Sequence, residues 1–201
     1  MEERIKKYLL GLLTLYISLY IPLAITAYSS AWYSLATNST IQSYLGTETV
    51  EIAHTNLTQF FLHQKDLYTD FWSDKEIRHM HEVRIIYDIL FLIGALAAIC
   101  IAINIWKQKC SFNKKTGYIN LLVIGILSLL LPIFPFFWSH IFHAALFRND
   151  LWLMLPEDLS YHLFPLSFFI KSFSAIIITG FLINVLSIWI CGKISQRIPS
   201  K

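Results

Sequence analysis

Four stretches of the chain, 8–28, 85–106, 118–138 and 166–189, are apolar almost throughout, and most polar residues lie between them. Each reaches the roughly 20 residues a helix needs to cross a hydrocarbon core of about 30 Å. The pattern predicts four transmembrane helices and excludes a soluble globular domain. Pro132 and Pro135 interrupt the third stretch and predict a kink before Trp138.

The segments between the spans carry patterns of their own. Val50 and Ile52 flank Glu51, an alternation that predicts a short strand. From Asn56 onward Leu57, Phe60, Phe61, Leu67, Tyr68 and Phe71 recur at helical spacing and predict an amphipathic helix. Ser73 followed by Glu76 reads as a capping box, so the second span is expected to begin as a helix outside the membrane. On that helix His79 and Glu82 share a face, His81 points elsewhere, and Arg84 stands four residues before Asp88, within pairing distance. Lys171, just inside the fourth span, is expected to snorkel outward or face a polar cavity. The expected architecture is an all-α membrane protein: one integral domain over 1–201, four spans, and a small extracellular cap built from 29–83 and 139–165.

Composition and charge agree. The 201 residues are 56% hydrophobic and only 14% charged. Arg4, Lys6, Lys7, Lys107, Lys109, Lys114, Lys115, Lys193, Arg197 and Lys201 would all fall on one side of a four-span protein. By the positive-inside rule that side is the cytosol, which puts both termini there. Most acidic residues fall on the opposite side. The net charge of +3 is therefore a topology signal and implies no nucleic-acid partner. Trp106 and Trp189 close inner helix ends, and Trp32, Trp138 and Trp152 sit near the outer edge, as an aromatic belt requires. The first stretch follows basic residues and precedes Ser29-Ser30-Ala31, a weak cleavage site. It is too long for a signal core and contains Pro22, so it is read as a retained span. The sequons at Asn38 and Asn56 are read as incidental.

All seven histidines (His54, His63, His79, His81, His140, His143, His162) fall on the outer side, whereas Cys100, Cys110 and Cys191 lie in spans or on the inner side. An outer region without cysteine has neither disulfides nor a thiol nucleophile. Three chemistries remain to be weighed. His79, His140 and His143 with Glu82 or Asp158 could supply a metal, giving a metal-dependent lipid or ester hydrolase, but no HExxH motif accompanies them. No G-x-S-x-G motif marks a serine nucleophile. Histidine general acid–base catalysis needs only imidazoles whose ordinary pKa lies near 6.5. A non-enzymatic sensor or assembly subunit, with histidines answering to pH, is the remaining alternative.

Two blocks carry a resemblance. FWSDKEIRHMHEV (71–83) and FHAALFRNDLWLMLPEDLSYHLFPLSFF (142–169) resemble motifs of the bacterial lipoprotein intramolecular transacylase family, in the same order and relative placement. Glu82 stands where that pattern has aspartate, Leu155 where it has an acid, and His81 is additional. The resemblance implies a plasma-membrane acyltransferase whose active site faces outward. It would move the sn-2 acyl chain of a diacylglyceryl lipoprotein onto the α-amino group of that protein's own N-terminal cysteine. It implies no cofactor, no metal and no covalent acyl-enzyme, with membrane lipid and lipoproteins as partners. By motif the two catalytic histidines map to His79 and His143. Phe137, Trp138, Phe142, Phe147 and Trp152 can form aromatic walls, Asn149 and Arg84 can contact substrate, Glu82 or Asp158 can orient a histidine, and His140 stands in reserve.

Overall fold

The computed structural model describes residues 2–37, 39–106 and 114–197, with side chains described for 5–37, 39–106 and 114–190. Lys107, Lys109, Cys110, Asn38 and Lys201 lie outside the described residues, as do the side chains of Arg4, Cys191, Lys193 and Arg197. The elements run α1 (Glu2–Tyr28), α2 (Ser30–Ala36), α3 (Ser39–Leu45), α4 (Thr47–Phe61), α5 (Asp74–Trp106), α6 (Lys114–Ser128), a 3₁₀ turn (Leu131–Ile133), α7 (Phe134–Phe136), a π turn (Phe137–Phe142), α8 (His143–Leu146), α9 (Leu159–Leu163) and α10 (Leu166–Arg197). No strand occurs among the described residues. Four spans are long and apolar enough to cross a membrane: Ile5–Tyr28, Asp74–Trp106, Lys114–Leu146 and Leu166–Ile190. The chain is an all-helical, multi-pass membrane protein.

Two compact units divide the chain. One comprises Met1–Pro22, Leu90–Leu130 and Ser174–Lys201. In hydrocarbon, helices gain nothing from burying apolar surface against each other, so close backbone approach and interhelical hydrogen bonds hold them together. Asn184, fully buried on α10, donates through Nδ2 to Ser18 Oγ on α1 at 2.7 Å and to its own helix at Gly180 O, 2.9 Å. Asn120 on α6 donates to Asn184 Oδ1 at 3.0 Å and to Gly11 O at 3.1 Å. Three helices thus share one polar knot. Gly180 permits the approach: a Cβ there would stand 2.8 Å from Leu19 Cδ2 and 3.3 Å from the Ser18 carbonyl oxygen.

The other unit comprises Leu23–Ile89 and Leu131–Phe173. Its core is Tyr33, Val50, Ala53, Leu57, Phe60, Phe61, Leu67, Trp72, Met80, Leu163 and Phe168. The strand expected at Val50–Ile52 is a helix. Val50, Ala53, His54, Leu57, Phe60 and Phe61 form one buried stripe on α4, and that longer period of 3.6 overrides a three-residue alternation. The amphipathic helix expected to run from Asn56 to Phe71 stops at Phe61. His63 takes a left-handed φ of 57°, and the amides of His63 and Gln64 turn back onto Phe60 O (3.1 Å) and Gln59 O (2.8 Å), a Schellman stop.

The irregular segment that follows is organised by one side chain. Asn56 Nδ2 donates to Asp66 O, while its Oδ1 accepts from Tyr68 N and Trp72 Nε1, each at 3.0 Å. Leu67 and Trp72 enter the core from that loop and not from a helix of their own. Arg84 and Asp88 do not pair. Arg84 lies over the Phe60 ring at 4.1 Å and donates to Phe60 O at 3.3 Å, and Asp88 accepts from His63 Nε2 at 2.9 Å. Lys171 donates to Ala36 O at 2.9 Å, satisfying a carbonyl that the end of α2 leaves open.

His54 is buried between Tyr33 and Phe164, its two ring nitrogens 3.4 Å from Ser34 Oγ and from Thr37 Oγ1. Burial lowers its pKa from 6.5 to about 4. The folded protein therefore prefers neutral His54, and the unfolded chain takes up the proton first as pH falls. This contribution to stability is whole above pH 6.5 and is lost between 6.5 and about 4, at about 1.4 kcal/mol per pH unit. His54→Gln is expected to flatten the fall of thermal stability across that window, and an unchanged pH slope in the variant would refute the assignment. Asn56→Ala leaves three groups without their partner and is expected to cost about 3 kcal/mol, lowering the Tm in detergent by about 5–10 °C. Tryptophan-fluorescence melting checks this.

Candidate functional site

The capping box forms at the start of α5. The Ser73 amide donates to Glu76 Oε2 at 2.8 Å, and the Glu76 amide donates to Ser73 Oγ at 3.3 Å. Glu76 reaches further than a cap requires. It is 1% exposed, and its Oε1 accepts from Ser160 N at 2.6 Å and Ser160 Oγ at 2.5 Å. Asp158, the residue before α9, accepts from Ser73 Oγ (3.1 Å), Leu155 N (2.8 Å) and Lys75 Nζ (3.3 Å), and Lys75 also donates to Leu153 O. Burial alone would raise the Asp158 carboxyl. The Leu155 amide, the Ser73 hydroxyl and the Lys75 ammonium outweigh it and hold the group below its ordinary value. The strap 147–160 is thus fastened to the first turn of α5, one turn before His79.

The broken third span delivers the second histidine. Pro132 and Pro135 cannot donate amides, and the chain passes through 3₁₀, α and π turns in succession. At the end of the π turn the Trp138 carbonyl accepts both the backbone N–H of His143 and its ring Nδ1 at 2.7 Å. A carbonyl only accepts, so Nδ1 carries hydrogen and neutral His143 keeps its lone pair on Nε2. His140, on the same turn, is exposed, lies 2.7 Å from Ser139 Oγ and stacks on Phe136. A regular helix resuming beyond the prolines would set His140 and His143 on one face; with the π turn between them, His140 is exposed and His143 is buried.

His79 and His143 meet with ring centroids 6.5 Å apart, both buried. Phe147 sets its ring against His79 at 4.9 Å and His143 at 5.8 Å. Trp152 stacks on His143 at 4.5 Å, Trp138 meets it edge-on at 4.8 Å and Phe142 at 5.5 Å. Phe137 stands behind, 6.2 Å from Phe142. Glu82 Oε2 is 3.8 Å from His79 Nδ1, and Asn149 Nδ2 donates to Glu82 Oε1 at 2.7 Å. Of the residues singled out from sequence, His79, His143, Trp138, Phe142, Phe147, Asn149, Trp152 and Glu82 come together. Arg84 is engaged with Phe60 and His81, and Asp158 meets Ser73, Lys75 and Leu155 and no histidine. Among the described residues no three His, Cys, Asp or Glu converge as a metal would require. Ser160 and Lys75 were not legible as site supports. The Ser73–Glu76 spacing and the motif position of Asp158 were the traces of that network.

Fold and arrangement together define a helical, membrane-embedded protein with a buried histidine pair walled by aromatic rings. The family model described as lipoprotein intramolecular transacylase Lit matches residues 8–169, and the chain belongs to that family. It is accordingly an acyltransferase acting on lipoproteins. The in meso structure of the membrane-integral lipoprotein intramolecular transacylase Lit from Bacillus cereus has the same fold, with a TM-score of 0.86 over 98% of this chain and 97% of that one, at 16% identity. No curated protein matches the sequence.

Removing the Glu76 carboxylate should loosen the strap before it unfolds the spans. In Glu76→Ala, hydrogen exchange at Ser160 and Leu155 is expected to rise by about tenfold or more while the amides of α10 stay protected. Equal protection in both proteins would show that the carboxylate does not hold the strap.

Proposed function

We propose that the protein transfers the sn-2 acyl chain of a diacylglyceryl lipoprotein to the α-amino group of the same molecule's N-terminal cysteine. His79 and His143 carry the protons, no covalent acyl-enzyme forms, and the site faces the outer side of a bacterial plasma membrane. The observation that carries this reading is the approach of two buried imidazoles, from distant parts of the chain, to 6.5 Å within an aromatic enclosure. The charge pattern supports the outward orientation.

The chemistry asks for little else. An α-ammonium group with a pKa near 8 must first release one proton, which ends in solvent. The neutral nitrogen then attacks the ester carbonyl; the C–N bond forms and the C–O bond to glycerol breaks. One proton leaves the nitrogen and one reaches the glycerol oxygen, so a base and an acid suffice. Nucleophile and ester belong to one substrate, and oriented intramolecular reactions reach effective molarities of about 10⁵–10⁸ M. Trp138, Phe142, Phe147 and Trp152 keep water from the carbonyl, which favours aminolysis over hydrolysis.

The test uses the purified chain and a synthetic diacylglyceryl lipopeptide. Transfer is an isomerisation, so intact mass stays constant and tandem fragmentation locates the acyl chain on nitrogen. His79→Ala and His143→Ala are each expected to lower the rate by about 10²–10⁴-fold with the fold retained. Normal lyso product from either variant would remove that histidine from the mechanism, and free fatty acid in place of N-acyl peptide would indicate a hydrolase.

A further inference from the structure

Within the enclosure two polar atoms are left over. Glu82 Oε2 and His79 Nδ1 are both buried and neither has a hydrogen-bond partner. They stand 3.8 Å apart, beyond a direct hydrogen bond. A buried group without a partner costs about 1–3 kcal/mol, which makes two facing each other a feature to be explained. Neither atom is loose. Asn149 holds the other carboxylate oxygen at 2.7 Å, and Asn149 is itself fixed by accepting the Leu151 amide at 3.0 Å. The Phe147 edge contact restrains the His79 ring.

We infer that Glu82 Oε2 and His79 Nδ1 form the binding place of the substrate's α-ammonium group, an assignment that rests on the proposed transacylation. Both atoms can accept, so the complementary ligand brings several donors on one atom. An ammonium nitrogen is such a group: it has only donors, and at about 2.9 Å from each acceptor it bridges a 3.8 Å gap. Its charge matches the carboxylate, and charge-assisted bonds are the stronger kind. From that position one ammonium proton passes to His79 Nδ1 and is released from the imidazole to solvent, leaving His79 neutral and the nitrogen lone pair free for the ester. The same place rejects a lipoprotein whose nitrogen is already acylated. An amide is uncharged and offers a single N–H, so it leaves one buried acceptor unpaired.

Binding can be separated from turnover with a lipopeptide whose sn-2 chain is ether-linked and cannot transfer. The full chain in lipid nanodiscs is titrated with this probe and with its des-amino counterpart, reading tryptophan fluorescence at pH 6.5. Wild type is expected to bind the amino probe about tenfold or more tighter. Glu82→Gln should bring that ratio close to one without weakening the des-amino probe. In wild type alone, the ratio should also collapse between pH 7 and 9.5 as the ammonium deprotonates, which tests the inference even if the variant does not fold. A ratio near one in wild type, or one unaffected by Glu82→Gln or by pH, overturns the inference, as does equal weakening of both probes. If neither probe binds wild type, the inference falls together with the proposed function.

Discussion

The buried carboxylate of Glu76 is the constraint on which the candidate site depends. A carboxylate with 1% exposure is tolerable only when its oxygens are matched by donors, and here there are three: the Ser73 amide and the amide and hydroxyl of Ser160. The first donor starts a helix; the other two come from a segment 84 residues further along. One side chain therefore fixes both where α5 begins and what lies beside its first turn. With α5 begun at Asp74, His79 falls on its second turn. The strap from Phe147 to Ser160, tied down at its far end, presents Asn149 and Trp152 to the histidine pair. Asp158 and Lys75 repeat the fastening with opposite charges, 3.3 Å apart.

The two histidines are held by different physics. His143 is set by backbone geometry: the π turn leaves one carbonyl to accept both its amide and its ring, which fixes tautomer and direction at once. His79 is set by packing, against Phe147, with a carboxylate close by but not in contact. One imidazole is thus committed at Nδ1 and free at Nε2, while the other keeps an uncommitted Nδ1. For a reaction that lifts a proton from nitrogen and delivers one to oxygen, unequal partners are useful, because neither histidine competes for the other's position.

Much of this was legible in the chain. Spans follow from length and hydropathy, and the capping box at Ser73 follows from local spacing. The third span's break follows from two prolines, because these effects act within a few residues. The motif blocks brought His79 and His143 forward together. What could not be read is what depends on contacts distant in sequence. Asn56 folding the loop 66–72 around itself turned an expected helix into an irregular segment, and its buried amide left no periodic trace. The separation of His140 from His143 needed the π turn, which two prolines permit but do not specify. Arg84 and Asp88 stood at ideal helical spacing, yet each found a better partner on α4 or just after it, since a partly buried cation gains more from a carbonyl and a ring face than from an exposed carboxylate.

An enzyme whose nucleophile and electrophile arrive on one substrate has little bond-making of its own to perform. In the proposed mechanism it supplies a shape that folds the substrate back on itself, two proton carriers and dryness. Aromatic rings provide the shape and the dryness, at the cost of a medium in which every polar atom must be partnered. In that medium an unpartnered carboxylate oxygen facing an unpartnered imidazole nitrogen is stable only in part, and both atoms gain when a donor-rich cation enters. In the proposed mechanism the energy that free protein forgoes at Glu82 and His79 is recovered as the substrate's amine is drawn to a place from which it can both lose its proton and reach the ester.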